Sequence, residues 1–372
     1  MDLLSMSMDM MRLTSSCELK SSPYSQEVVL EDEDILTLIL SRVPWKKLVS
    51  LKCVSKQWLS FITIPRFRKF LPPLRASGLF FHRRHALDNP GKLYFVPFDN
   101  PKTPSPFTAF TCAHRHIRIL HSCNGLLLCS TSVHDLNCYV CDPSTNHLAF
   151  LPQNSRSAQG RYIGLAFDPL KSPHYKVIAW VNAYGSKNAG DFQIYSSETG
   201  TWRVSVKSFT VDPGLNFTES VYLNGCVHWL LDKKSVPKSA VSDCLYFNVD
   251  EEMLGTFPRP PIVFTSGLRR SLYFGESEGH LHVVEVIRCT TSLKVFEMES
   301  NYSGWFVKYR IDLAPISKVS PEMTQHKTCY DRNHFAVAVL SLVRRENFRE
   351  DSFLILEIPG SEHAPGQLLL SS

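Results

Sequence analysis

The spacing of apolar residues changes once along the chain, at Pro72-Pro73. Before this point they recur every three or four residues, as on one face of a helix. After it, short runs rich in Val, Ile, Phe, Tyr and Trp alternate with Gly, Pro, Asn and Asp, as in β-strands joined by turns. No long helical stretch separates these runs, which disfavours parallel βαβ units. The sequence therefore predicts an α+β chain of two domains, a small helical one followed by an all-β antiparallel one.

Three short helices are predicted in the helical domain, residues 28–70. The first ends at Val43, because a residue before proline is pushed out of the helical region. Pro44 can open the second helix, and the third spans about Ser55 to Ile62. Helices this short are not stable alone, so their apolar faces must pack on each other and on something else.

The β region, residues 75–372, is longer than a single core normally allows. Strands anchored by glycine start 40 to 60 residues apart, a range typical of propeller blades, near Asn124, Tyr162, Val221, Tyr273 and Phe335. A closed ring of blades also removes the exposed edges of a large sheet. We therefore predict a propeller-like domain of five to seven blades. The segments near 78–98 and 335–358 are expected to share one blade and close the ring.

The charge and the cysteine content limit which partners and which cellular compartment are expected. The chain has 40 Lys and Arg against 35 Asp and Glu, a net charge of +5 without a basic block, so no nucleic-acid partner is expected. Eleven cysteines without regular spacing indicate reduced thiols inside the cell, in the cytoplasm, the nucleus or both. No run approaches the roughly 18 apolar residues of a membrane helix, and no secretory signal is recognisable. Residues 1–26 are predicted to form a disordered tail.

One motif suggests an enzyme. Gly275-Glu-Ser-Glu-Gly279 matches the nucleophile elbow of serine hydrolases, with Ser277 as the nucleophile. That elbow needs a strand before the serine and a helix after it. The residues that follow, from His280 to Val286, alternate as a strand. A glycine-flanked hairpin tip is the preferred interpretation, and a serine hydrolase on a β scaffold is kept as an alternative.

A second motif suggests a metal site. Cys138-Tyr-Val-Cys141 could be half of a zinc site. No second pair stands at ligand spacing, and two residues three apart on a strand face opposite sides. We therefore expect neither a metal nor a cofactor. Short basic clusters such as His82–His85 are interpreted as solvated loops, and Trp202, Trp229 and Trp305 as packing residues between blades.

The helical domain resembles the F-box. The segment from Asp34 to Pro44 is similar to the first helix of that family, and the segment from Trp45 to Trp58 to its second half, with a Val–x–Lys–x–Trp pattern at Val54, Lys56 and Trp58. Two positions depart from the family pattern. The leading Leu-Pro pair falls on Glu31-Asp32, and Ser55 stands where a cysteine is usual.

The β domain resembles the plant F-box-associated domain. Its landmarks occur here in the family order: Ser122–Leu128, Cys141–Asn146, Gly164–Pro169, Tyr175–Val177, Gly200–Trp202 and Tyr222–Trp229. Each landmark is weak alone, but their order downstream of an F-box is specific.

These resemblances imply a non-catalytic substrate receptor of a Skp–cullin–F-box ubiquitin ligase. The helical domain would bind a Skp-type adaptor, and through it cullin, while the β domain would hold a target protein that the sequence does not identify. The residues expected to bind the adaptor are Ile35, Ile39, Leu40, Pro44, Leu48, Leu51, Val54 and Trp58. Some of these could instead only hold the helices together, above all Leu51 and Trp58. An F-box scaffold without a ligase role is a further alternative.

Overall fold

The structure is a computed structural model that divides into two units, Met1–Pro73 and Leu74–Ser372. It describes residues 33–43, 48, 51, 54–63, 67, 78–82, 92–98, 110–111, 118–130, 138–145, 147–153, 163–182, 189–206, 209–210, 216–232, 243–262, 270–287, 291–319, 324–325, 334–335, 338–343, 352–357 and 366–370. The predicted tail at 1–26 lies outside these residues. The finer domain bounds, 28–70 and 75–372, stay predictions.

The first unit contains helices α1, Glu33–Leu40, and α2, Lys56–Thr63. Helix α1 ends just before Pro44, with the amide of Ser41 still bonded to the carbonyl of Thr37. Helix α2 begins after Ser55, whose hydroxyl accepts the Trp58 amide at 3.1 Å and so caps the helix. Ser55 thus has a structural role at the position where the family usually has cysteine. Leu48 and Leu51 are helical where the second helix was predicted, and most of that helix lies outside the described residues.

The second unit contains six sheets of three or more antiparallel strands within its described residues. Sheet 1 has strands Gly78–His82, Lys92–Pro97 and Phe110–Thr111; sheet 2 has Arg118–Cys123, Leu126–Ser130, Cys138–Asp142 and His147–Phe150; sheet 3 has Ile163–Ala166, Lys176–Asn182, Ala189–Ser196, Thr201–Val204 and Phe209–Thr210. Sheet 4 has Asn216–Leu223, Cys226–Asp232, Cys244–Asn248 and Met253–Phe257; sheet 5 has Arg270–Ser277, His280–Ile287, Ser292–Met298 and Trp305–Asp312; sheet 6 has Ala338–Val343, Ser352–Glu357 and Gly366–Leu370. Helix α3, Ala314–Val319, and a two-stranded hairpin, Thr324–Gln325 with His334–Phe335, lie between sheets 5 and 6.

Tight turns explain the glycine landmarks of the sequence repeat. Asn124-Gly125, Asn224-Gly225 and Glu278-Gly279 join the first and second strands of sheets 2, 4 and 5, and both residues of each pair have positive φ. Two-residue hairpin turns of this kind match the natural twist of the strands they join. Of the predicted strand starts, the one near Asn124 therefore falls in a turn, whereas Val221 and Tyr273 lie within the first strands of sheets 4 and 5.

The six sheets are arranged as a ring, as predicted. The first strands of sheets 2 to 6 are successive neighbours, so they form its inner layer. Apolar clusters fill the spaces between adjacent sheets: one joins sheets 2 and 3, a large one spans sheets 3, 4 and 5, and another joins sheets 5 and 6. Each sheet thus buries both faces against its neighbours, which gives a β domain of this length several small cores.

Packed side chains in the described residues join sheet 1 to both of its neighbours in the ring. Phe80 packs on the apolar cluster of sheet 2, and Phe98 packs edge-on against Phe353 of sheet 6, with ring centroids 5.6 Å apart. The prediction that 78–98 and 335–358 share one blade is wrong, because these segments form two separate sheets in contact through Phe98, Phe353 and Ile355.

Hydrogen bonds tie neighbouring sheets together at both their inner and outer strands. On the inner side, the Leu165 amide of sheet 3 donates to His121 Nδ1 of sheet 2 at 2.7 Å. On the outer side, Trp202 and Trp305 each donate from Nε1 to a proline carbonyl at the end of the preceding sheet, Pro152 at 2.8 Å and Pro258 at 2.7 Å. These two tryptophans are packing residues, as predicted.

A charged contact joins the outer strands of sheets 3 and 4. Glu252 accepts hydrogen bonds from the Arg203 guanidinium, from the Ser205 hydroxyl at 3.1 Å and from the Val206 amide at 3.0 Å. The bond from Arg203 is the main reason that the pKa of Glu252 falls to about 2. The carboxylate therefore keeps its charge throughout the neutral and mildly acidic range.

Two buried histidines make the ring sensitive to acid. Burial lowers the pKa of His121 to about 3 and that of His228, which contacts Tyr302 Oη at 2.7 Å, to about 4. The unfolded chain takes up these protons below pH 6.5 and the folded chain does not, so stability falls as the pH drops from 6.5 towards 4. We expect the free energy of unfolding, measured with urea, to be about 2 kcal/mol lower per histidine at pH 5 than at pH 7.

The variant for this prediction is His228→Gln, which cannot titrate. It should remove about half of the expected dependence of the unfolding free energy on pH between pH 7 and pH 5, because His121 still contributes its share. An unaltered pH slope in His228→Gln would contradict the prediction.

Candidate partner-docking site on the helical unit

The helical unit sorts its apolar side chains into a buried set and an exposed set. The buried set forms one core, made of Leu36, Leu40, Leu48, Phe61, Ile62 and Phe67. The exposed set consists of Ile35, Leu38, Ile39, Val54 and Leu59. We call these five residues the exposed apolar set. A small unit gains nothing in its own stability from exposed side chains of this size, so they mark a surface that another molecule can cover.

Helix periodicity explains the sorting on α1. Leu36 and Leu40 are four residues apart and point into the core, whereas Ile35 and Ile39, also four apart, lie one position earlier on the adjacent face. Leu38 follows Ile35 by three residues and extends the exposed face, with 56% of its surface accessible. The apolar stripe of α1 is therefore wider than its own core requires.

The predicted adaptor residues fall into three groups. Ile35, Ile39 and Val54 are exposed. Leu51 and Trp58 are half-buried against the helical core, and Leu40 and Leu48 are fully buried within it. Pro44 lies outside the described residues. The structure therefore brings three of the eight to an accessible surface, whereas Leu40 and Leu48 can act on a partner only by holding the helices in place.

Two members of the exposed apolar set, Leu38 and Leu59, were missed by sequence reasoning. Leu38 stands three residues after Ile35, a spacing that could have placed it on the same face. Leu59 directly follows Trp58, and its exposure depends on how α2 is rotated against the core, which no local pattern reports.

Ser277 lies in a hairpin and not in a nucleophile elbow. It is the last residue of strand Arg270–Ser277, and the Glu278-Gly279 turn leads directly into strand His280–Ile287. The Ser277 side chain is also buried. The strand–turn–helix context that presents a serine nucleophile is therefore missing, and the hairpin interpretation is confirmed.

Cys138 and Cys141 lie in one strand, and their side chains belong to two different apolar clusters. Cys138 faces the cluster between sheets 2 and 3, and Cys141 faces the cluster shared with Phe80 of sheet 1. Burial raises the pKa of Cys138 to about 12, which disfavours the thiolate that binds metals. Among the described residues no three His, Cys, Asp or Glu side chains are grouped closely enough to hold a metal ion.

Trp229 is the third tryptophan that the sequence singled out. It is buried in the cluster of sheets 3 to 5, and its ring stacks on Phe192 at 5.8 Å. It therefore packs between sheets, as predicted. In the described part of the chain no helix is long and apolar enough to cross a membrane. Most of the short basic clusters lie outside the described residues.

The protein thus combines a helical unit that has exposed apolar side chains with a unit of antiparallel sheets arranged as a ring. Comparison with known proteins gives the family. Residues 32–70 match the F-box domain model, and residues 99–348 match the model of the F-box associated beta propeller domain. The chain belongs to the F-box proteins that carry an F-box associated β-propeller domain.

Known relatives agree with this assignment. The chain is 33% identical to the F-box protein At5g07610 of Arabidopsis thaliana over 366 residues, covering 91% of this chain and 83% of that protein. It is 26% identical to the F-box protein At5g49610 of the same plant, covering 80% of this chain and 83% of that protein.

Two solved structures are also similar. TolB from Acinetobacter baumannii gives a TM-score of 0.42 at 12% identity, covering 86% of this chain and 68% of that one. The β-propeller domain of the Trilobed protease from Pyrococcus furiosus gives 0.36 at 8% identity, covering 79% and 75%.

Proposed function

We propose that this protein is the substrate-receptor subunit of a Skp–cullin–F-box ubiquitin ligase. The observation that carries the proposal is the exposed apolar set on the helical unit, in a segment that matches the F-box. An adaptor that covers these side chains would gain the free energy of burying them, about 25 cal/mol for each Å² of apolar surface. Hydrophobic contact of this kind dominates the centre of stable interfaces.

The two parts of the helical unit would then have separate tasks. Leu36, Leu40 and Leu48 fix the helices, while Ile35, Ile39 and Val54, together with Leu38 and Leu59, touch the adaptor. Leu51 and Trp58 are half-buried, so they can contribute to both tasks. We propose that Pro44 shapes the turn between the first two helices.

The ring would hold the target protein. A scaffold in which every sheet is packed on both faces can present loops in fixed positions, and binding residues are found disproportionately on such loops. The ligase assembly would then accelerate ubiquitin transfer by proximity, and the chain itself would perform no chemistry. The surroundings of Ser277 support a non-catalytic role over the hydrolase alternative.

The cysteines support a site of action inside the cell, in the cytoplasm or the nucleus. The six cysteines in the described part of the chain are buried thiols, at positions 123, 129, 138, 141, 226 and 244. Thiols persist in the reducing cytosol and nucleus, whereas secreted proteins of this cysteine content usually form disulfides.

The proposal is tested by capture and by turnover. The full-length protein, expressed with an affinity tag, should capture a Skp-type adaptor and cullin from cells. Deletion of the protein should stabilise at least one other protein. The tagged protein should bind that same protein when the proteasome is inhibited. Capture of the adaptor without any stabilised target would favour a scaffold without a ligase role. Failure to capture the adaptor would refute the proposal.

A further inference from the structure

Sheet 1 is joined to the last sheet of the ring in a different way from its neighbours. Sheets 2 to 6 follow one another in the chain, so each is tethered to the next by a connecting segment. Sheets 1 and 6 stand at opposite ends of the β unit in sequence, and they do not share a strand in the described residues. In the described residues, the two sheets contact each other through the apolar cluster of Phe98, Phe353 and Ile355.

In its described side chains, sheet 1 is less buried than the central strands of the sheets on either side of it. Leu79, Phe80, Phe95 and Pro97 are half-buried, and Phe98, which follows the second strand, is buried. In contrast, every side chain from Ser352 to Leu356 of sheet 6 and from Leu127 to Ser130 of sheet 2 is buried. Local opening costs least where the least apolar surface is buried.

We propose that sheet 1 leaves the ring as a unit while sheets 2 to 6 stay folded. The Phe98–Phe353 contact separates in this step, and so does the contact between Phe80 and the cluster of sheet 2. The large cluster that spans sheets 3 to 5 contains no residue of sheet 1, so it is preserved in the open form. Opening is therefore a local event, distinct from global unfolding.

Native-state hydrogen exchange of the isolated full-length protein tests the opening. We expect amides in 79–82 and 93–96 to exchange about 100-fold faster than those in 177–181 and 353–356, with a weaker dependence on low urea concentrations. Equal protection and equal urea dependence in sheets 1 and 3 would overturn the proposal. Because no adaptor is present, this result is independent of whether the ligase proposal holds.

The variant Phe98→Ala sharpens the test, with Phe306→Ala as its control on the outer strand of sheet 5, where the side chain is exposed. Phe98→Ala should raise the exchange of 79–82 and 93–96 about tenfold further and leave 177–181 unchanged, whereas Phe306→Ala should alter neither. Equal acceleration in all sheets would show that Phe98 supports the whole ring, and would overturn the proposal. If Phe98→Ala does not fold, the urea dependence of the wild-type protein decides.

Discussion

Replacing Ile39 and Val54 together with aspartate is expected to weaken binding of a Skp-type adaptor by at least about 100-fold. Both side chains belong to the exposed apolar set, with 44% and 60% of their surface accessible. Each loses an apolar contact worth about 1.5 kcal/mol or more when buried, and each new carboxylate must be desolvated or must push the partner away. Since 1.4 kcal/mol is a factor of ten, two such losses exceed a factor of 100.

The measurement is a titration of purified adaptor against the full-length protein, by calorimetry or surface plasmon resonance. The control is Val206→Asp, which adds the same charge at a residue of the β unit that is 86% exposed. It should bind as tightly as the wild type. Leu48→Asp is unsuitable as a test, because Leu48 is fully buried and the variant would unfold the helices. Unchanged binding by the double variant, with normal helix content, would refute the assignment of this surface.

Replacing Phe192 with alanine is expected to destabilise the ring by about 3–5 kcal/mol. Phe192 is buried at the centre of the cluster that spans sheets 3 to 5, where its ring centroid lies 5.0 Å from that of Trp180 and 4.7 Å from that of Phe247. Removing the ring loses these aromatic contacts and leaves a cavity that rigid neighbouring sheets cannot fill. Sheets 3 and 4 lose packing at once, so the effect should be among the largest of any single substitution.

The loss is measured from urea unfolding curves followed by near-ultraviolet circular dichroism, which reports aromatic packing. Phe150→Ala is the matched control, because the same ring is removed from a residue that is 59% exposed. It should cost less than about 1 kcal/mol. Similar midpoints for the two variants would contradict the placement of Phe192 at the centre of the core.

In the helical domain, the spacing of apolar residues predicts the helix but not which of its faces is buried. The three- and four-residue spacing of Ile35, Leu36, Ile39 and Leu40 predicts a helix that ends before Pro44, and the structure has α1 at Glu33–Leu40. The same spacing does not say which of two adjacent stripes faces the core, since both are apolar. Leu40 and Leu48 were therefore assigned to the adaptor although they are fully buried, and Leu38 and Leu59 were overlooked although they are exposed.

In the β domain, too, the sequence predicts local features but not contacts between distant segments. Alternating apolar residues and Asn-Gly or Glu-Gly turns are local signals, and they predicted both the strands and the propeller-like repeat. Closure of the ring is not local, because Phe98 and Phe353 are in contact although they lie far apart in the sequence. The expected shared blade was wrong for this reason: strand pairing between distant segments leaves no mark on either segment alone.

The change of period at Pro72-Pro73 by itself determined that this chain has a helical part and a β part, and the order of its motifs determined the family. These properties follow from backbone preferences and from the periodicity of neighbouring residues, which the sequence contains directly. Only the tertiary structure decided which apolar side chains remain exposed on the helical unit, and that sheets 1 and 6 meet by packing. Burial depends on what lies opposite a side chain in space, and for these residues the neighbours come from other helices and other sheets.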